Sequence, residues 1–209
     1  MIEIKHKVTG DVLLRIDRET LEGIKLENGK LRHADLVGAS LCGANLGNSD
    51  LRDADLRGAK LCGARLHTTS FGGADLADAD LTEANLTNAT LIGTSLIGAT
   101  MVRAVLRYSE VAGAIFCNAD LREADLSMAD LRANFRGANL AGADLRGANL
   151  SGANLSGANL EGANLSGANL ANARVVGAKM RGAINAAGKR TAAPPRSRDA
   201  KRAWWRVWE

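Results

Sequence analysis

A leucine, or a residue of similar bulk, recurs at every fifth position from Leu31 to Leu131 and again from Phe135 to Leu170, almost always two places after a small residue, as in GANLSGANLEGANLSGANL ending at Leu170. Five fits neither the 3.6 of a helix nor the 2 of a strand, so the repeat itself must be the structural unit. In Gly142-Ala143-Asp144-Leu145-Arg146, Ala143 and Leu145 share one side of an extended segment while Asp144 points the other way. The next inward residue is Ala148, so two outward residues, Arg146 and Gly147, intervene where alternation allows one. The chain must bend there, and glycine tolerates the required dihedrals. A bend in every unit winds the chain into a coil whose neighbouring turns pair main-chain groups about 4.8 Å apart.

These units, a small residue, Asp or Asn, Leu, then two mostly polar or small residues, resemble the pentapeptide repeat family over Gly29 to Ala183. The resemblance implies an all-β fold, a right-handed quadrilateral β-helix with four units per coil. At the strand spacing this gives about eight coils in a rod roughly 35 to 40 Å long. The inward columns are leucine at each face centre and a small residue two places earlier, with Ser49, Thr69, Thr94 and Ser109 as variants of the small column. Phe71, Met101, Val111 and Phe116 replace leucine in the same register and are expected to fill the interior. The register slips once, because Leu131 and Phe135 are four residues apart; a four-unit coil puts Phe135 beside Phe116. The expectation is a local kink within one rod rather than a boundary.

The organisation falls into a β-hairpin cap over residues 1–20, the repeat coil over 21–185, a flexible basic linker over 186–199 with Pro194-Pro195, and a short C-terminal helix over 200–209. Apolar alternation from Ile2 to Val8 and from Val12 to Ile16 around Thr9-Gly10 predicts the hairpin, and an exposed first coil needs such a cover. In helical register Trp204, Val207 and Trp208 share a face, a candidate association surface. That tail suits covering the last coil, joining two copies, or meeting an anionic membrane surface.

Net charge is +4, but about 16 basic against 17 acidic residues lie between Leu21 and Ala183, and about 7 against 2 after it. The rod is close to neutral and only the tail is basic, which argues against nucleic acid as a ligand of the rod. Met1 to Lys5 lacks the apolar core of a signal peptide, and no apolar run has membrane-spanning length, so a cytoplasmic location is expected. His6, His33 and His67 occupy unrelated places and no HExxH or paired CxxC occurs. No catalytic residue, cofactor site or metal ligand is nominated, and the chain is not expected to be an enzyme.

Four features depart from the repeat. A four-unit coil stacks Cys42 on Cys62, twenty residues apart, within disulfide reach, although a cytosol would keep both as thiols. It also stacks Asp35, Asp55 and Asp75 in an acidic row, which either invites a cationic partner or is a solvated face relieved by Arg32, Arg52 and Arg57. From Leu91 to Phe116 the outward slots hold Ile92, Ile97, Val102, Val105, Tyr108 and Ile115 in place of the usual polar residues, a candidate partner surface against the alternative of scattered tolerated residues. The fourth is the tryptophan tail.

Two function classes follow. One is a noncatalytic scaffold presenting side-chain columns to a protein partner, with homodimerisation through the C-terminal helix or end coil. The other follows from the resemblance: some pentapeptide repeat proteins act as DNA mimics on DNA gyrase or another topoisomerase through acidic rods. This chain departs from that subgroup because its coils are near neutral. A third reading is a peripheral membrane scaffold attached through the tail.

Overall fold

The structure, a computed structural model, describes residues 1–190. Two strands, β1 (Ile2–His6) and β2 (Val12–Ile16), form an antiparallel hairpin, and β1 also pairs antiparallel with the short β3 (Ala34–Asp35) of the first complete coil. From Lys25 onward, parallel bridges join each residue before a face centre to its counterpart twenty residues later, Lys25 to Asn45, Asp35 to Asp55 and so on. The repeat thus returns to the same face after four units. Faces one to four are centred on Leu41, Leu46, Leu51 and Leu56 and their stacked successors.

One unit shows how five residues satisfy five amides. The Ala74 N–H donates to Phe71 O at 2.8 Å within the corner turn, and Asp75 N–H to Ala54 O of the preceding coil at 3.0 Å. Leu76 N–H reaches Ser95 O at 2.8 Å and Asp78 N–H reaches Ile97 O at 2.9 Å, both in the following coil. The fifth amide, Ala77 N–H, donates to the Asp75 side-chain Oδ1 at 3.0 Å. Asn performs the same task, as Asn154 does for Ser156 at 3.1 Å. The Asp or Asn slot is therefore a turn element whose useful atom is the oxygen both side chains share.

Inside, leucine and alanine columns form one continuous cluster from Ile4 to Ala183. The polar variants keep their hydroxyls bonded: Thr69 Oγ1 donates to Leu46 O at 2.8 Å and Thr94 Oγ1 to Phe71 O at 2.9 Å. At the register slip the bridge step falls to nineteen residues, from Ile115 to Asn134, and returns to twenty from Asn134 to Asn154. The stack stays continuous, and Phe116 lies against Phe135. The missing residue is absorbed at one corner, as expected.

The hairpin is shorter than its alternation suggested. Lys7 and Val8 belong to the turn, because His6 Nδ1 accepts the N–H groups of Val8 and Thr9, both at 3.2 Å, and draws the chain out of the strand. Residues 186–190, the start of the expected linker, form a return turn, with Ile184 bridged antiparallel to Arg190, and the rest of that linker lies outside the described residues. The expected C-terminal helix lies outside the described residues, and no α-helix occurs among the described residues. Nor is any helix among them long and apolar enough to cross a membrane.

Candidate interaction surface

The outward slots sort by column. On face four the residues before the centre run Asp35, Asp55, Asp75, Ser95, Ile115, Asn134, Asn154 and Arg174, so the acidic row and Ile115 belong to one ladder. Bridges join Asp35 to Asp55 and Asp55 to Asp75, which places the three aspartates on successive coils. Of the three arginines expected to relieve them, only Arg57 does so. Its Nη2 lies 2.6 Å from Asp55 Oδ2 and its Nε 3.9 Å from Asp75 Oδ2. Arg52 instead clasps Asp50, and Arg32 reaches Asp53. The hydrogen bond from Arg57 holds the Asp55 carboxyl below the usual carboxylate range, with Lys7 adding a smaller attraction.

The Asp55 clasp is one of five. Wherever the sequence reads Asp-Leu-Arg the arginine folds back over the face centre onto its own aspartate: Asp50 with Arg52, Asp55 with Arg57, Asp120 with Arg122, Asp130 with Arg132, and Asp144 with Arg146. The motif was visible in the chain, but the pairing is legible only once both residues are known to flank one outward face.

The apolar girdle does not form a single patch. Ile97 (43% exposed) and Ile115 (37%) share face four on adjacent coils, joined by the Leu96 N–H to Ile115 O bond of 2.8 Å. Free Cys117 stands beside them in the column of Ile97. Ile92 (48%) lies on face three near the corner leading to Ile97, whereas half-buried Val102 and Val105 lie on faces one and two. Tyr108 (50%) occupies the corner between faces two and three with φ +58°, and Met128, exposed on the next coil, stacks in the same corner column at φ +61°. Sequence reading missed Met128, whose signal was its position twenty residues after Tyr108.

Two of these residues forgo a turn bond. Val105 and Ile115 sit in the Asp or Asn slot, and neither side chain has an oxygen to offer the amide two places on. Such a bond is worth about 0.5 to 1.5 kcal/mol net. Tyr108 likewise holds a bulky residue in the left-handed region, where glycine or asparagine is ordinarily found. Its ring is half exposed, and the Arg107 guanidinium carbon lies over it, 5.7 Å from the centroid.

Elsewhere, Cys42 and Cys62 are joined on face one as a disulfide between adjacent coils, with Cα atoms 4.6 Å apart. Among the described residues no cluster of three or more His, Cys, Asp or Glu side chains could hold a metal ion. Trp204, Val207 and Trp208 lie outside the described residues.

The sequence matches the Pentapeptide repeats family in eight copies across residues 21–58, 30–67, 69–107, 101–132, 132–167 and 148–184. The chain belongs to the pentapeptide repeat family, and its coil is the right-handed β-helix of that family. Among solved structures, a trypsin-treated variant of QnrB1, a plasmid-mediated fluoroquinolone resistance protein, is similar at 21% identity over 76% of this chain and 87% of that one, with a TM-score of 0.60. HetL, a pentapeptide repeat protein involved in heterocyst differentiation regulation from the cyanobacterium Nostoc sp. strain PCC 7120, is 32% identical over 83% of this chain and 94% of that one, with a TM-score of 0.30. No curated protein matches the chain by sequence.

Proposed function

We propose that this protein is a noncatalytic interaction scaffold whose rod presents the apolar side chains of its middle coils to a protein partner. The observation that carries this reading is Ile115. It stands in a slot whose usual Asp or Asn closes a turn, gives up that bond, and remains exposed beside Ile97. A position that loses a local bond and exposes apolar surface is disfavoured by folding alone, so a bound surface is the economical explanation. Replacing Ile97 and Ile115, which share face four, with Asp should disrupt a complex followed by light scattering and pull-down. Unchanged association would refute the surface.

One observation favours a second reading, a DNA mimic acting on DNA gyrase or another topoisomerase: the bridged stack of Asp35, Asp55 and Asp75. Against it, Arg57 neutralises the middle of the stack, and the aspartates have a turn-forming reason to be there. A supercoiling assay separates the readings. Inhibition or protection of gyrase by the purified protein, lost on Asp55→Asn and Asp75→Asn, would favour mimicry, and no effect at high protein concentration would eliminate it.

A further inference from the structure

Face four sorts its charges as no other face does. Its centres run from Leu36 in coil one through Phe116 in coil five to Val175 in coil eight. On the N-terminal side of coil five the outward slots hold Asp35, Asp55 and Asp75 against Arg57. On the C-terminal side they hold Arg136 and Arg174 and, among the described residues, no acid. Faces one to three carry both signs on both sides of the middle, as Lys60, Asp80, Glu161 and Lys179 do on face one. Between the two halves of face four stand Ile97, Ile115 and half-buried Cys117. A strip that is acidic at one end, apolar in the middle and basic at the other is complementary to itself reversed.

The strip is also open to close approach at its middle. On the corner between faces three and four, Gly93 and Gly113 carry no side chain, and the space a Cβ would take has nothing within 4 Å. No corner residue of coils four and five therefore stands above the face on that side.

Given the partner surface at Ile115, on which this rests, we propose that its occupant is a second copy of this chain, the two rods antiparallel about a two-fold axis that crosses face four at coil five. Each slot of coil five then faces itself, Ile115 against Ile115 and Cys117 against Cys117, while coil eight faces coil two and coil seven faces coil three. Arg174 of the second copy comes opposite Asp55 and one coil from Asp75. Ile97 comes opposite Arg136, whose methylene stem covers apolar surface while its charge stays in water. A parallel pair would instead set acid beside acid and base beside base, which is costly. An axis half a step nearer Ile97 would set each Ile115 against Ser95. Coil one, with Val37, lies beyond the overlap. Three residues across and seven coils long, the overlap measures about 10 Å by 30 Å between main-chain positions, a small interface. The pair is therefore concentration-dependent rather than obligate, and salt weakens it by screening its charges.

With Cys42 and Cys62 joined, Cys117 is the one free thiol of the chain, and it lies on the axis. A short bismaleimide added to the folded, oxidised protein should give a covalent dimer whose yield falls on dilution and at high salt. Ile115→Asp should cut that yield several-fold with the circular dichroism unchanged, because Asp is a usual occupant of the slot. The register is read in a Cys117→Ser background: chains with Ala77→Cys and chains with Ser156→Cys should crosslink when mixed, and neither kind alone. A dimer yield indifferent to Ile115→Asp, or a mixed pair that does not crosslink, overturns the proposal. So does a rod that sediments as a monomer at every concentration. A photoreactive residue at Ile97 then separates the two failures: capture of a different protein leaves the apolar face as a partner surface, and capture of nothing removes that reading as well.

Discussion

Phe116 and Phe135 stack with ring centroids 4.7 Å apart and planes 12° apart, across the one coil that is a residue short. The rings stack where the step between successive face-four ladder positions falls to nineteen residues, and they fill the interior there. Phe135→Ala should therefore lower stability by about 3 to 5 kcal/mol, a core aromatic truncation. Denaturant unfolding followed by circular dichroism measures it; a loss no larger than that of an exposed substitution would show that the slip does not depend on the pair.

Ile115→Asn should raise stability by about 0.5 to 1.5 kcal/mol, because asparagine supplies the oxygen that the Cys117 amide lacks. The same substitution should weaken partner binding. This opposition separates a surface kept for recognition from one merely tolerated, and equal or lower stability in the variant would remove the argument from Ile115.

The Asp-Leu-Arg clasps make stability depend on acid. The arginine hydrogen bond lowers the carboxyl pKa of Asp50, Asp55, Asp120, Asp130 and Asp144 in the folded protein. A depressed folded value contributes stability above the unfolded value, about 3.9, and that contribution is lost as pH falls through the folded value. Thermal midpoints should thus drop on acidification below about pH 4. Changing the five aspartates to Asn keeps the turn oxygen and removes the titration, so the acid limb should flatten; an unaltered pH profile would contradict the clasps.

With Cys42 and Cys62 joined, only Cys117 should react with a thiol reagent under non-reducing, denaturing conditions. Reduction should lower stability by about 2 to 4 kcal/mol, the usual effect of opening a short loop. Three reactive thiols in the oxidised protein would show that the bond does not form.

Much of the fold was legible because the five-residue period acts at every level at once: Leu145 faces inward, Asp144 outward, and Gly147 takes the left-handed corner. The slip at Ala133 was visible for the same reason. Less legible was anything decided by a side chain's second contact. Arg52 stands near the acidic row in sequence yet turns to Asp50, its neighbour across the face centre. His6 ends β1 through its ring nitrogen rather than through any change in apolar alternation. The girdle illustrates the limit best, since six residues in a row of outward slots are dealt to four faces, and only Ile97 and Ile115, with Ile92 round the corner, come together.

The most direct measurement places a photoreactive residue at Ile97 and, as a control, at Val37, which is exposed in the same face-four column near the first coil. Crosslinking from position 97 should capture one protein in stoichiometric yield that position 37 does not capture, and Ile115→Asn should abolish that crosslink while the rod remains folded. The same products from both positions, or a crosslink indifferent to Ile115→Asn, would contradict the apolar face as the partner surface.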